Sequence, residues 1–79
     1  MVYTPMPANC FLRTPRYRKE FKYGEERWVD QISGLIYTWD GEHGGEVEVF
    51  SKRGRHRGVV DAINGEYIKD PVNGRRISV

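Results

Sequence analysis

Residues 37–58, YTWDGEHGGEVEVFSKRGRHRG, gather one aspartate, three glutamates, two histidines and four Lys/Arg around five glycines. Asp40, His43, Glu46 and Glu48 stand close together in it, and a histidine facing a carboxylate is the minimum equipment for metal-free RNA cleavage. The carboxylate takes the proton of a ribose 2′-hydroxyl, the oxygen attacks the adjacent phosphorus in line, and the histidine protonates the departing 5′-oxygen. Negative charge builds on the phosphorus, so an arginine should stand where it can stabilise that charge. Arg75 and Arg76 are available near the C-terminus. A histidine beside carboxylates is favoured in its charged form, as is a carboxylate beside cations, so the two environments suit opposite roles.

A strand must present these groups. Alternation along residues 46–50 puts Glu46, Glu48 and Phe50 on one face and Val47 and Val49 on the other, so the valines serve the core and the glutamates an open face. In the strand before it, Leu35, Tyr37 and Trp39 share a face, and Asp40 emerges at the end beside the loop that carries His43. Gly44 and Gly45 would let that loop bend or bulge until His43 lies over the glutamates. Other readings of the same residues stay open. A histidine in a glycine loop can be incidental, and alternating Glu and Val is what a half-exposed strand looks like. Asp40, His43 and Glu46 are suitable metal-ligand types, although no spacing singles out a metal.

The chain has 79 residues, 38% hydrophobic and 30% charged. That is one domain with a thin core, best supplied by a single sheet with one covered face. One cysteine, Cys10, rules out an internal disulfide and, without a Cys/His pattern, a zinc finger. The longest uncharged run, residues 2–12, contains two prolines and reads neither as a signal peptide nor as a membrane span. The net charge of +2 hides a segregation: five basic residues against Glu20 alone in 13–22, and Lys52, Arg53, Arg55, His56 and Arg57 with no acid in 51–58. Such clusters suit a phosphate backbone, where each cationic contact releases counterions.

Pro5, Pro7 and Pro15 forbid a helix over the first fifteen residues, which read as an extended or irregular arm. Residues 16–23 could form a short helix or an edge strand, and strand is preferred. Beyond Arg27, strands are expected at 28–31, 35–39, 46–50, 58–62, 67–69 and 75–79, with a basic hairpin loop at 51–58 and turns at Asn64-Gly65 and 70–74. No internal repeat is evident. The expected fold is therefore mainly β (α+β), a small antiparallel meander of five or six short strands. Residues 1–26 form its arm and 27–79 its catalytic sheet.

Arg27-Trp28, then the aspartate of IYTWDGEHG twelve residues beyond the tryptophan, then GEVEVF, GRHRG, Asp61, NGE and DPVNGRRI, together resemble the C-terminal cytotoxic ribonuclease domain of the ribosome-inactivating colicins and cloacin. The resemblance spans residues 27–77. It implies a strongly twisted antiparallel sheet with a short N-terminal helix, and an enzyme that cuts small-subunit ribosomal RNA at the decoding centre and stops translation. It implies no cofactor or metal requirement, a ribosome as target and a cognate immunity protein, expected to be acidic. Carried over by position, it marks Asp40 and His43, the glutamates Glu46 and Glu48 with Glu48 as general base, and Arg75 rather than Arg76 as the essential arginine. Asp40 is expected to orient His43, and Lys52, Arg53, Arg55, His56, Arg57 and Arg76 to contact RNA. Tyr17 and Tyr23 are candidates for aromatic contributions to the site.

The family pattern has one glycine where this chain has Gly44 and Gly45. Either a bulge absorbs the extra residue or Glu46 and Glu48 are not the equivalents of the family pair. The family is also basic just before the tryptophan, where this chain has Glu25 and Glu26. The domain is read as the cytotoxic piece of a larger delivered toxin, acting in the cytoplasm of a target bacterium. Two rivals use the same residues: a non-catalytic RNA-binding barrel with Tyr37, Trp39 and Phe50 as stacking platforms, and a small protein-interaction module.

Overall fold

The computed structural model describes residues 2–79. Six strands, β1 (Tyr17–Lys22), β2 (Glu25–Asp30), β3 (Ile36–Asp40), β4 (Glu46–Phe50), β5 (His56–Val60) and β6 (Tyr67–Lys69), pair in chain order as one antiparallel meander. The mainly-β expectation holds. Each connection is a short turn that the local residues encode. Tyr23 and Gly24, both at positive φ, close the two-residue β1–β2 hairpin, as the right-handed twist of its strands requires. Asp30 and Asp61 each accept hydrogen bonds on Oδ1 from the backbone N–H groups two and three residues on. They thereby shape the β2–β3 and β5–β6 turns from within.

One face of the sheet carries the core: Trp28, Tyr37, Val47, Val49 and Val60, with Cys10 and Leu12 of the N-terminal arm laid over them. Val47 and Val49 are fully buried, as alternation predicts, and Leu35 and Trp39 pack against the same cluster as Tyr37. The arm has no regular helix beyond a 3-10 turn, Phe11–Arg13, whose Phe11 meets Tyr17 and Tyr37 edge to face at 5.2 and 5.6 Å. Such pairs add about 1 kcal/mol each beyond area burial. Burial pushes the Cys10 thiol up from its ordinary pKa, which suits an inert packing role.

Three expectations change. The boundary at 26/27 cuts a hairpin, because β1 pairs with β2 over six positions and belongs to the sheet. The irregular arm is residues 2–16, and Met1 lies outside the described residues. Residues 75–79 do not form a strand: the outer edge of β5 is divided, with β6 on Val59 and Val60, leaving the C-terminal segment only Gly54–His56. There it makes an isolated bridge between Arg55 and Arg76, and two hydrogen bonds, His56 N–H to Arg75 O and Ile77 N–H to Gly54 O. Finally, the face of Glu46, Glu48 and Phe50 is not open. Phe50 is buried and Glu48 is 7% exposed.

Candidate active site

The β3–β4 hairpin sets the first half of the site. Its register runs without interruption from Ile36↔Phe50 to Asp40↔Glu46, with Thr38 opposite Glu48. Gly44 and Gly45 thus both lie in the connecting loop, residues 41–45, and the β3–β4 ladder itself carries no bulge. Gly44 and Gly45 both sit at positive φ, and Gly45 N–H closes the loop on Asp40 O at 3.0 Å. Only residues without a Cβ take up that left-handed path freely. A Cβ on Gly45 would also meet Thr4 and the Trp39 ring at 3.0 Å.

Within this loop Asp40 accepts the His43 backbone N–H on Oδ1 at 3.1 Å, and His43 Nδ1 lies 3.0 Å from both carboxylate oxygens. A carboxylate only accepts, so Nδ1 carries a proton and Nε2 is the ring nitrogen left for chemistry. The His43 side chain is 74% exposed. The arm braces the loop, since Thr4 N–H donates to Gly41 O and Trp39 Nε1–H donates to Thr4 O, each at 2.8 Å.

Glu48 is the second centre. Arg75 grips it with both terminal nitrogens, Nη1 to Oε1 at 2.8 Å and Nη2 to Oε2 at 3.1 Å, while the arginine side chain stays 46% exposed. His56 also lies against Glu48. Val59 faces Glu48 and Gly58 faces Val49, but Phe50 faces His56, so Arg57 is the extra residue of a bulge. Strict alternation would have put Arg57 beside Glu48; the bulge turns it out and His56 in. The His56 side chain is 1% exposed, packed edge-on against Phe50 at 5.3 Å. Val72 N–H donates to His56 Nδ1 at 2.9 Å, which leaves the ring proton on Nε2. Nε2 lies 3.2 Å from Glu48 Oε1 without the alignment of a hydrogen bond. His56 is therefore no phosphate contact, contrary to the sequence expectation, but a buried group set against the carboxylate.

The two centres share one cleft. Asp40, His43, Glu46, Glu48, His56, Lys69 and Arg75 all line a cavity of about 350 Å³. Lys69 holds Glu46 through Nζ to Oε1 at 2.6 Å, so Glu46 is an ion-pair partner on the rim. A second cleft, of about 550 Å³, opens where β2 diverges from β3 and reaches Glu48 and Asp40 from the side of Trp28 and Trp39. Among the remaining expected contacts, Arg55 and Arg76 join Arg75 along a groove of about 290 Å³. Lys52, Arg53 and Arg57 are exposed but line none of these cavities. Among the described residues no three His, Cys, Asp or Glu side chains are placed to share a metal ion.

Residues 15–78 match the Cytotoxic family. The chain belongs to this family, the C-terminal cytotoxic domain of the colicins and cloacin. No curated protein and no solved structure matched the chain. Membership makes the cytotoxic domain a toxin nuclease in general terms, with a nucleic-acid target. It also weakens the rival barrel, as does burial: Tyr37 and Phe50 are 8% and 4% exposed and offer no ring face to a base. Tyr17 likewise belongs to the aromatic cluster with Phe11 and Tyr37.

Sequence reasoning set His56 on the RNA and not against Glu48, and it did not find Lys69. Nothing in the sequence placed His56 beside Glu48, because a bulge reverses its side. Lys69 was hidden in the same way, since counting back from the Asn64-Gly65 turn, where Val60 faces Tyr67, sets Ile68 opposite Val59, and a register shift between Val59 and Val60 brings Lys69 there instead.

Proposed function

We propose that the domain is a metal-independent endoribonuclease that cuts 16S ribosomal RNA at the decoding centre and thereby blocks translation. The observation that carries this is the single cleft onto which the Asp40–His43 pair and the Glu48–Arg75 pair both open. Glu48 takes the proton of the 2′-hydroxyl, the 2′-oxygen attacks phosphorus, and His43 Nε2–H protonates the leaving 5′-oxygen. The products are a 2′,3′-cyclic phosphate and a 5′-hydroxyl. General acid–base catalysis of this kind supplies roughly 10²- to 10⁴-fold per group.

The geometry adds a step. Before reaction the Arg75 guanidinium neutralises Glu48. When Glu48 accepts the proton its charge disappears, and Arg75 is released toward the phosphorane oxygens that have just gained charge. Protein groups thus provide base, acid and electrostatic stabilisation. His56, held by Val72, keeps the Glu48 carboxylate in place and acts as a positioning residue. Asp40 fixes the His43 ring and its protonated nitrogen. Arg55 and Arg76 guide the RNA strand along the groove.

The partners that follow are the small ribosomal subunit and an acidic immunity protein that protects the producing cell. The site of action is the cytoplasm of the target bacterium. Purified ribosomes incubated with the domain in excess chelator should show one break near the 3′ end of the small-subunit RNA by primer extension. His43→Ala should weaken that break by roughly 10²- to 10⁴-fold. Intact RNA at high protein concentration would refute the nuclease reading.

A further inference from the structure

Arg27 on β2 is a buried cation without a counter-ion. It is 2% exposed, its Nε is buried with no hydrogen-bond partner, and among the described residues no carboxylate lies within 4.0 Å of it. Its cross-strand neighbour Glu20 has its carboxylate engaged by Arg18 at 2.9 Å. An arginine cannot shed its charge, and burying a charge unpaired is costly. A guanidinium held this way is built to receive an anion.

The surroundings say which anion. Arg27 opens on a pocket of about 230 Å³ that it lines with Tyr23, Glu25, Arg76, Ile77 and Ser78. The volume suits one phosphate with a few waters, each water occupying about 30 Å³. Arg76 also lines the groove that holds Arg55 and Arg75, so the pocket continues the cationic path leading away from Glu48. Tyr23, held at φ +53 in the β1–β2 turn and 66% exposed, stands with its ring centroid 5.9 Å from the Arg27 guanidinium. A cation for a phosphate with an aromatic face beside it is the pairing that single-stranded nucleic acid uses.

We propose that Arg27, Arg76 and Tyr23 form a second phosphate subsite, which binds a phosphodiester of the RNA strand outside the scissile one and stacks a neighbouring base on Tyr23. The inference rests on the nuclease reading for the identity of the strand. Glu25 on the pocket rim opposes the anion and tempers its binding.

The test uses a 2′-O-methyl RNA hexamer, which lacks the attacking hydroxyl and cannot be cleaved, so binding is read apart from catalysis. Arg76→Ala should weaken binding several-fold and lower the slope of log Kd against log salt by about 0.7, the value of one single-strand phosphate contact. Glu25→Gln, an exposed change that does not threaten folding, should tighten binding about 2-fold. The Arg27 Nε–H resonance should shift on titration of the unaltered domain. Hexamer binding with unchanged salt slope in Arg76→Ala and an unmoved Arg27 resonance would overturn the subsite, as would failure of the hexamer to bind. So would an equal response to a poly-glutamate peptide at matched ionic strength, which would assign the pocket to an acidic protein. Ribosome cleavage that persists alongside a failed subsite leaves the nuclease reading standing, and a responsive pocket without cleavage does the reverse.

Discussion

The turns at Asp30 and Asp40 are built on one pattern and put to opposite uses. Asp30-Gln-Ile-Ser-Gly and Asp40-Gly-Glu-His-Gly each end a strand with an aspartate whose Oδ1 accepts the backbone N–H three residues on. In both, the side chain at that third position bonds back to the carboxylate: Ser33 Oγ at 2.8 Å, His43 Nδ1 at 3.0 Å. Asp30 is 2% exposed and is gripped by both arms of Arg16 at 2.8 and 2.9 Å. The Asp40 side chain is 22% exposed, and no arginine or lysine pairs with it among the described residues. Locking an aspartate with a guanidinium makes a structural staple; leaving it to a histidine alone keeps that ring exposed on the cleft, where the proposed mechanism needs a proton donor. The Asp40 loop is also one residue longer, closing through Gly45 N–H where the other closes through Gly34 N–H.

The sharpest break in this comparison is at the third position. His43→Ala should lower ribosome cleavage by roughly 10²- to 10⁴-fold while shifting the midpoint of urea unfolding little, because the side chain is mostly exposed. Ser33→Ala should leave cleavage by the folded domain unchanged. A His43→Ala domain that still cuts at the normal rate would remove His43 from the mechanism.

Next in size is Asp30 itself. Its carboxyl is held well below the usual range, first by the Arg16 hydrogen bonds and then by the N–H groups of Ile32 and Ser33 and the Ser33 hydroxyl, against the opposing effect of burial. A depressed value in the folded state means stability that is fully present above the unfolded value near 3.9 and is lost as pH falls below it. Asp30→Asn should cost about 2–3 kcal/mol at neutral pH, below the range for a fully buried pair because Arg16 is half exposed. Urea titrations across pH 2–7 should show its acid limb flattened relative to the parent. The same replacement at Asp40 should cost under about 1 kcal/mol of stability. It should reduce cleavage about 10- to 100-fold, the worth of one charged hydrogen bond. Equal stability losses at the two positions would refute the contrast.

Much of this was legible in the sequence. The valines at 47 and 49 show which face of β4 is core, the glycine-bounded β-branched runs mark β2 to β6, and the candidates Asp40, His43, Glu48 and Arg75 come to line one cleft. What escaped has a common physical cause, since each miss depends on pairing partners far along the chain. A bulge at Arg57 turns His56 inward, and a bulge is a property of two strands, not one. Residues 75–79 have strand-like composition but find the edge of β5 already shared with β6. Arg16 reads as one of a basic cluster until the fold brings it to Asp30. The recurring aspartate turn was visible in principle, as Asp30-Gln-Ile-Ser-Gly beside Asp61-Ala-Ile-Asn-Gly. Five residues long, it is a turn and not a structural repeat, whose periods run from about 20 residues upward.

The smallest effect concerns the loop's extra residue. Gly44 and Gly45 have nearly the same φ, +87 and +86, so alanine at either carries the same backbone strain, about 1 kcal/mol. Their surroundings differ. A Cβ on Gly44 meets nothing within 4 Å, whereas one on Gly45 presses on Thr4 Cγ2 and the Trp39 ring, the contacts through which the arm braces the loop. Gly45→Ala should therefore cost about 1 kcal/mol more than Gly44→Ala in urea unfolding, and it alone should lower cleavage, by displacing His43 from the cleft. Deleting Gly45 shortens the loop to the length of the Asp30 turn, where the third-position side chain still reaches its aspartate. That deletion should keep cleavage within about tenfold of the parent, no more than the low end of one charged hydrogen bond's worth. A complete loss would mean that His43 reaches the phosphate only because its turn is one residue longer than the others.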